Sequence, residues 1–177
     1  KKTLSPYALT KKTCEEMAYL YYKNYGIKVI MLRFFTVYGP GQRPDLAIHK
    51  FVKKLKYNEK ISIYGDGKTG RDYTYIDDII AGITASIKFI NKKNECYEIF
   101  NLGNNRVVTL TEMVKIMEKI SGYKADLEFC DFQKGDMPMT YADISKAKKL
   151  LSYSPKTDFE DGIEKFFEWF EKKESKI

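Results

Sequence analysis

Short continuous apolar runs alternate along the chain with longer stretches in which apolar residues recur every three or four positions. This is the pattern of strands buried on both faces alternating with amphipathic helices. Ser5 can cap a helix and Pro6 suits its first position, so a helix is predicted from about Pro6 to Tyr25, stopping at Gly26. Residues 27–35, "IKVIMLRFF", read as a buried parallel strand, and "GPGQRPD" breaks it into a loop. A helix from about Leu46 to Tyr57, a strand at "ISIY", a glycine turn at "GDGKTG" and a second strand at "RDYTYI" follow. Asp77 or Asp78 can cap a helix through about Ile90, and "EIFNLG" reads as another buried strand. Thr109 and Glu112 form a capping box ahead of Leu110, Met113, Val114, Met117 and Ile120, which share one helical stripe. "LEF" predicts a short strand, Ser145 to Leu151 a short helix, and Phe159 to Lys172 a final amphipathic helix. Helices alternating with strands predict an α/β fold, with no repeats and no low-complexity tracts.

A length of 177 residues suits one large domain, and 44% hydrophobic residues with 15% aromatics can build a sizeable core. No apolar run approaches the ~20 residues of a membrane span, and no signal-peptide pattern is present, so no membrane partner and a cytoplasmic location are expected. Cys14, Cys96 and Cys130 are odd in number and lack the paired spacing of a zinc site. They are expected to be reduced core residues, and no metal is expected. The net charge of +7 arises from 31 Lys+Arg against 24 Asp+Glu, but only Arg33, Arg43, Arg71 and Arg106 are arginines. Lysine interleaved with glutamate along helices reads as a solvated surface rather than a nucleic-acid interface. An anionic small molecule would still be drawn to it.

Several motifs invite chemistry and carry little. "GDGKTG" fits GxGxxG literally from Gly65 to Gly70, but a dinucleotide loop requires a helix directly after it, and "RDYTYI" is β-branched and aromatic. A hairpin turn is predicted instead. Asp77 and Asp78 are neighbours that would point about 100° apart on a helix, so capping is expected rather than acid–base pairing. His49, the single histidine, has no evident acid partner in sequence. Trp169 with Phe166, Phe167 and Phe170 reads as core packing.

"SPYALTKK" at residues 5–12 places Tyr7 and Lys11 four apart on one helical face. With 14 tyrosines and 27 lysines, about two such spacings arise by chance, and three occur: Tyr7/Lys11, Tyr19/Lys23 and Tyr64/Lys68. Tyr7 alone falls in the first turn of a helix. There the positive end of the dipole and the lysine one turn on favour a phenolate, which at a normal pKa of about 10 is scarce near neutrality.

"SPYALTKK", "LRFFTVYGPGQRPD", "IYGDGKTGRDYTYIDDI", "FNLGN" and "KGDMPMTYADISKAKKLLSYSPKT" occur in this order over nearly the whole chain. Together they resemble the extended short-chain dehydrogenase/reductases that act on nucleotide sugars, as NAD-dependent epimerases and dehydratases. "FFTVYGPGQRPD" with "GDMPMTYADISK" looks most like UDP-glucuronate 4-epimerases; UDP-glucose 4-epimerases usually have Asn at the place of Thr36 and Arg at that of Gln133. The resemblance is to the second half of the family only. It implies the C-terminal part of a Rossmann-type parallel sheet plus a smaller α/β substrate-binding lobe. Residues 1–45 would supply terminal Rossmann elements, and 46–177 mainly the lobe, with about 77–101 returning to the Rossmann core. The cofactor's glycine loop and the Ser/Thr partner of the catalytic tyrosine are expected upstream of Lys1, which leaves this chain alone inactive.

By position, the resemblance makes Tyr7 the base that takes the proton from the sugar 4-hydroxyl as hydride passes from C4 to NAD+. Lys11 would hold the nicotinamide ribose. The 4-keto sugar would rotate and accept hydride on its other face. Phe35 would stand at the nicotinamide end and Thr36 beside the sugar, with Thr36 and Arg43 receiving a C5 carboxylate. Leu46, Ser62, Ile63 and Tyr64 would enclose uracil and its ribose, Arg71 would bind the diphosphate, Gln133 would lie near the substrate, and Asp136 would accept ribose hydroxyls. A UDP-sugar substrate and a homodimer are implied. The alternatives are a UDP-glucose 4-epimerase or 4,6-dehydratase of the same family, and a non-catalytic sugar-nucleotide binding module.

Overall fold

A computed structural model describes residues 5–132 and 137–175. In chain order they form α1 (Pro6–Tyr25), β1 (Val29–Phe34), β2 (Thr36–Tyr38), α2 (Ala47–Lys56), β3 (Ile61–Tyr64), β4 (Gly70–Tyr75), α3 (Ile76–Asn91), β5 (Tyr97–Leu102), β6 (Val107–Thr109), α4 (Leu110–Ser121), β7 (Leu127–Cys130), α5 (Ser145–Leu151) and α6 (Phe159–Glu174). The fold is α/β with parallel sheets, as the alternating pattern predicts.

Local chemistry fixes the helix ends. Ser5 Oγ accepts from the Ala8 N–H at 3.1 Å to start α1. Gly26 ends it at φ +65°, where its N–H donates to Tyr22 O at 3.0 Å. Thr109 Oγ1 accepts from the Glu112 N–H at 3.2 Å to start α4. Glu112 turns its carboxylate to Arg106 instead of closing the box.

β1 and β5 run parallel in register from Val29 against Tyr97 to Phe34 against Leu102. The apolar layer around them joins Phe100, Leu102, Ile79, Ile144, Ala147 and Tyr153 to half-buried Ile30, Leu32, Phe35 and Val37. A second, larger core holds Ile48, Val52 and Leu55 of α2, Ile61 and Ile63 of β3, Met113 and Met117 of α4, and Ile163, Phe166 and Phe170 of α6. Each large side chain removed fully from water contributes roughly 1.5–3 kcal/mol, so α6 with four buried phenylalanines is a principal anchor. Trp169 packs against the same core. His49 is buried edge-on to Phe166, Trp169 and Phe170, and its Nδ1 lies 2.9 Å from Gln42 O.

Three expectations are corrected. The "GDGKTG" turn is no hairpin: β3 pairs in parallel with β7, while β4 has both edges taken, by β2 in parallel and β6 antiparallel. With no edge of β4 left for β3, the glycines redirect the chain between sheets. Gly65 and Gly67 take φ of +75° and +73°, and Asp66 Oδ1 caps the turn by accepting from the Lys68 N–H at 3.0 Å. Asp77 and Asp78 do not cap α3, whose N-cap is Tyr75. The buried Asp78 carboxylate instead accepts from the Lys156 and Thr157 N–H groups at 2.9 and 3.0 Å, tying down the segment before α6. Of the three free cysteines only Cys96 is buried; Cys14 is exposed on α1 and Cys130 half-buried at the end of β7.

Candidate functional site

α1 brings Tyr7 and Lys11 to one side of its first turns, with Lys11 Nζ 5.5 Å from the Tyr7 ring centroid. They line a shallow hollow with Glu15, Arg33 and Ile99, and Tyr7 keeps 71% of its surface exposed. One turn beyond Lys11 the helix is clamped to the sheet. Arg33 of β1 grips Glu15 bidentately, Nε to Oε1 at 2.7 Å and Nη2 to Oε2 at 2.6 Å. The Tyr97 hydroxyl of β5 donates to Glu15 O at 2.9 Å. The Arg33 hydrogen bonds hold the Glu15 carboxyl below its usual range and raise the already high Arg33 value.

A separate cleft of about 400 Å³ lies between α2, β3 and β4. β3 alternates across its two faces: Ser62 and Tyr64 line the cleft, while Ile61 and Ile63 are 0% exposed in the core. The Ile63 side chain is therefore unavailable to a ligand. Arg71 and Tyr73, two apart on β4, share the cleft-facing side. Arg71 Nη1 donates to Gly70 O at 3.0 Å and to Met137 O at 2.5 Å, which fixes the guanidinium against the wall. Asp72 between them faces the other way, fully buried, accepting from the N–H groups of Asn104, Asn105 and Ala142 at 2.7, 2.9 and 3.1 Å.

The sequence-predicted residues thus fall into groups. Ser62, Tyr64 and Arg71 converge on the cleft; Leu46 is the half-buried N-cap of α2 at its edge, between the lining residues Asp45 and Ala47. Thr36 opens β2 directly beside Tyr73 of β4, half-buried, and Phe35 packs at the junction of β1 and β2. Tyr7 and Lys11 line their own hollow. Arg43 is exposed and paired with Asp45 at 2.9 Å. Gln133 and Asp136 lie outside the described residues. The cleft also takes in Lys50, Phe51 and Lys54 of α2, Tyr73, and Leu110 of α4, none of which sequence reasoning singled out. The signal was present in α2, where Ala47, Lys50, Phe51 and Lys54 follow one helical face.

Residues 2–166 match the GDP-mannose 4,6 dehydratase family. The chain belongs to that family. A UDP-glucuronate 4-epimerase of Thermodesulfobacterium geofontis is 44% identical over 94% of this chain and 50% of its own length. Among solved structures, the UDP-glucuronic acid 4-epimerase of Bacillus cereus, in complex with UDP-glucuronic acid and NAD, superimposes with a TM-score of 0.90 at 40% identity, over 97% of this chain and 54% of that one. The UDP-glucose 4-epimerase of Thermotoga maritima, with UDP-glucose, gives 0.88 at 31% identity, over 96% and 54%. The chain spans about half the length of the curated relatives it matches.

Proposed function

We propose that this chain is the substrate-binding part, with the tyrosine–lysine helix, of an NAD-dependent 4-epimerase that interconverts UDP-glucuronate and UDP-galacturonate. The observation that carries the reading is the convergence of Ser62, Tyr64 and Arg71 on one cleft with aromatic and cationic walls. A uridine ring suits the aromatic surface and a diphosphate suits a guanidinium held in place by backbone carbonyls. The likeness to an epimerase solved with UDP-glucuronic acid and NAD, and to one solved with UDP-glucose, supports the same assignment.

The core around β1 and β5 belongs, in this reading, to the cofactor-binding sheet, and the core around α2, β3, β4, α4 and α6 to the substrate lobe. The hollow at the start of α1 fits one end of NAD, because Lys11 and the Tyr7 hydroxyl offer a cation and a polar oxygen on one open helical face. NAD, when bound there, supplies the acceptor and donor of hydride. Tyr7 Oη takes the proton from the sugar 4-hydroxyl and returns it, and Lys11 holds the nicotinamide ribose. Phe35 borders the nicotinamide end, Thr36 reaches the sugar, and Leu46, Ser62, Tyr64 and the Ile63 backbone enclose the uridine. Gln133 and Asp136 complete the substrate contacts. Arg43 receives the C5 carboxylate on guanidinium N–H groups other than those of Nη2, which keeps its pair with Asp45. The full-length protein is a cytoplasmic homodimer serving polysaccharide synthesis.

Full-length protein incubated with UDP-glucuronate should form UDP-galacturonate faster than it epimerises UDP-glucose. Failure with the uronate while UDP-glucose or GDP-mannose turns over would reassign the substrate. These 177 residues alone should show no turnover.

A further inference from the structure

We infer that Lys50 is a second diphosphate-binding cation of the cleft, an inference that rests on the nucleotide reading above. A diphosphate diester is a dianion, and one guanidinium leaves it half matched. Of the other charges lining the cleft, Asp45 is neutralised by Arg43 at 2.9 Å, and Lys54 Nζ is committed to the Lys60 carbonyl at 2.6 Å. Lys50 lies on the same stripe of α2 as Ala47, Phe51 and Lys54, across the cleft from Arg71 on β4. Its backbone N–H donates to Leu46 O at 3.0 Å, and among the described residues its side-chain ammonium has neither a hydrogen bond nor an ion pair. The helix is held rigidly for this purpose, with Ile48, Phe51, Val52 and Leu55 buried beneath it. Its lysine can therefore reach a phosphate at the cost of ordering only its own flexible stem. Lys53, one residue before Lys54, is exposed outside the cleft and provides an internal control with the same charge.

The test is calorimetric titration of the full-length protein with UDP at about 0.1 M salt, where screening is moderate. Lys50→Ala should weaken UDP binding roughly three- to tenfold, the scale of one partly exposed charge-assisted contact. Lys50→Arg should restore it to within about twofold, and Lys53→Ala should leave it there too. Equal affinities for Lys50→Ala and Lys53→Ala would overturn the inference and leave the nucleotide reading standing. So would a loss in Lys50→Ala that arginine does not repair, because the residue would then act through cleft shape. Absence of UDP binding by the unsubstituted full-length protein, with its circular dichroism showing a folded protein, overturns both.

Discussion

Asp72 and Arg71 are adjacent in sequence and do opposite work, because successive residues on β4 face opposite ways. The buried Asp72 carboxylate accepts three backbone N–H groups and the Thr74 hydroxyl, holding the loop after β5 and the chain near Ala142. Asp72→Ala strands those donors and should cost about 3 kcal/mol or more of stability, seen as a lowered denaturation midpoint. The Tyr7/Lys11 pair teaches a different lesson about single residues. Lys23 sits 5.9 Å over the Tyr19 ring much as Lys11 sits over Tyr7, so the pair's own geometry does not mark a site. Tyr19 packs edge-on against Tyr97 at 5.1 Å, whereas Tyr7 stands open beside the hollow. In the proposed full-length epimerase, Tyr7→Phe should therefore lower kcat by roughly a hundredfold or more, and Tyr19→Phe should leave it within about threefold.

The helices and five of the seven strands, β1, β3, β4, β5 and β7, were legible in the sequence, and β2, β6 and the pairing of the strands were not. The bounds expected for α1 and α5 are those observed, and the ends expected for α2 and α6 are off by one or two residues. The three-residue strands β2 and β6 are too short to show a period of two, and they become strands only because β4 offers them its edges. For the same reason "GDGKTG" looked like a hairpin: turn chemistry was readable, and the partner of each flanking strand was not. Gly67→Ala tests that turn, since a Cβ there would sit 2.6 Å from Thr111 Cγ2 with φ at +73°. It should destabilise by about 1–2 kcal/mol in chemical denaturation. The link between α1 and the sheet titrates. Glu15 has its carboxyl lowered by Arg33, so the pair's stabilisation is full above the unfolded glutamate value of about 4.3 and is lost as pH falls through the lowered folded value. Arg33 is half exposed, so a Glu15→Gln, Arg33→Gln double-mutant cycle should give a coupling of only about 0.5–1 kcal/mol at pH 7, vanishing below that window.

At the scale of the molecule, α1 is the anomaly: its 20 residues include none that is buried. One side of it, through Glu15, Tyr19 and Tyr22, meets Arg33 and Tyr97. Turning the helix by 100° per residue puts Leu9, Leu20, Met17 and Tyr21 on the arc turned away from that contact, each 52% exposed or more, with exposed Tyr7 and Tyr25 on its flank at about 90° to the contact. A long helix with apolar residues on both sides belongs in the interior of an assembly, and among the described residues the parallel β1–β5 pair is two strands wide. In the proposed full-length epimerase the outer helical face would meet a second copy. Burying a dyad of such faces should hold the proposed homodimer together. Met17→Glu with Tyr21→Glu places like charges on that arc without touching Tyr7, Lys11 or the Glu15–Arg33 clamp. In the full-length protein it should convert a dimer to a monomer by light scattering, with the circular dichroism unchanged. A dimer that survives both charges would move the interface off α1 and leave its outer face to other strands of the same chain.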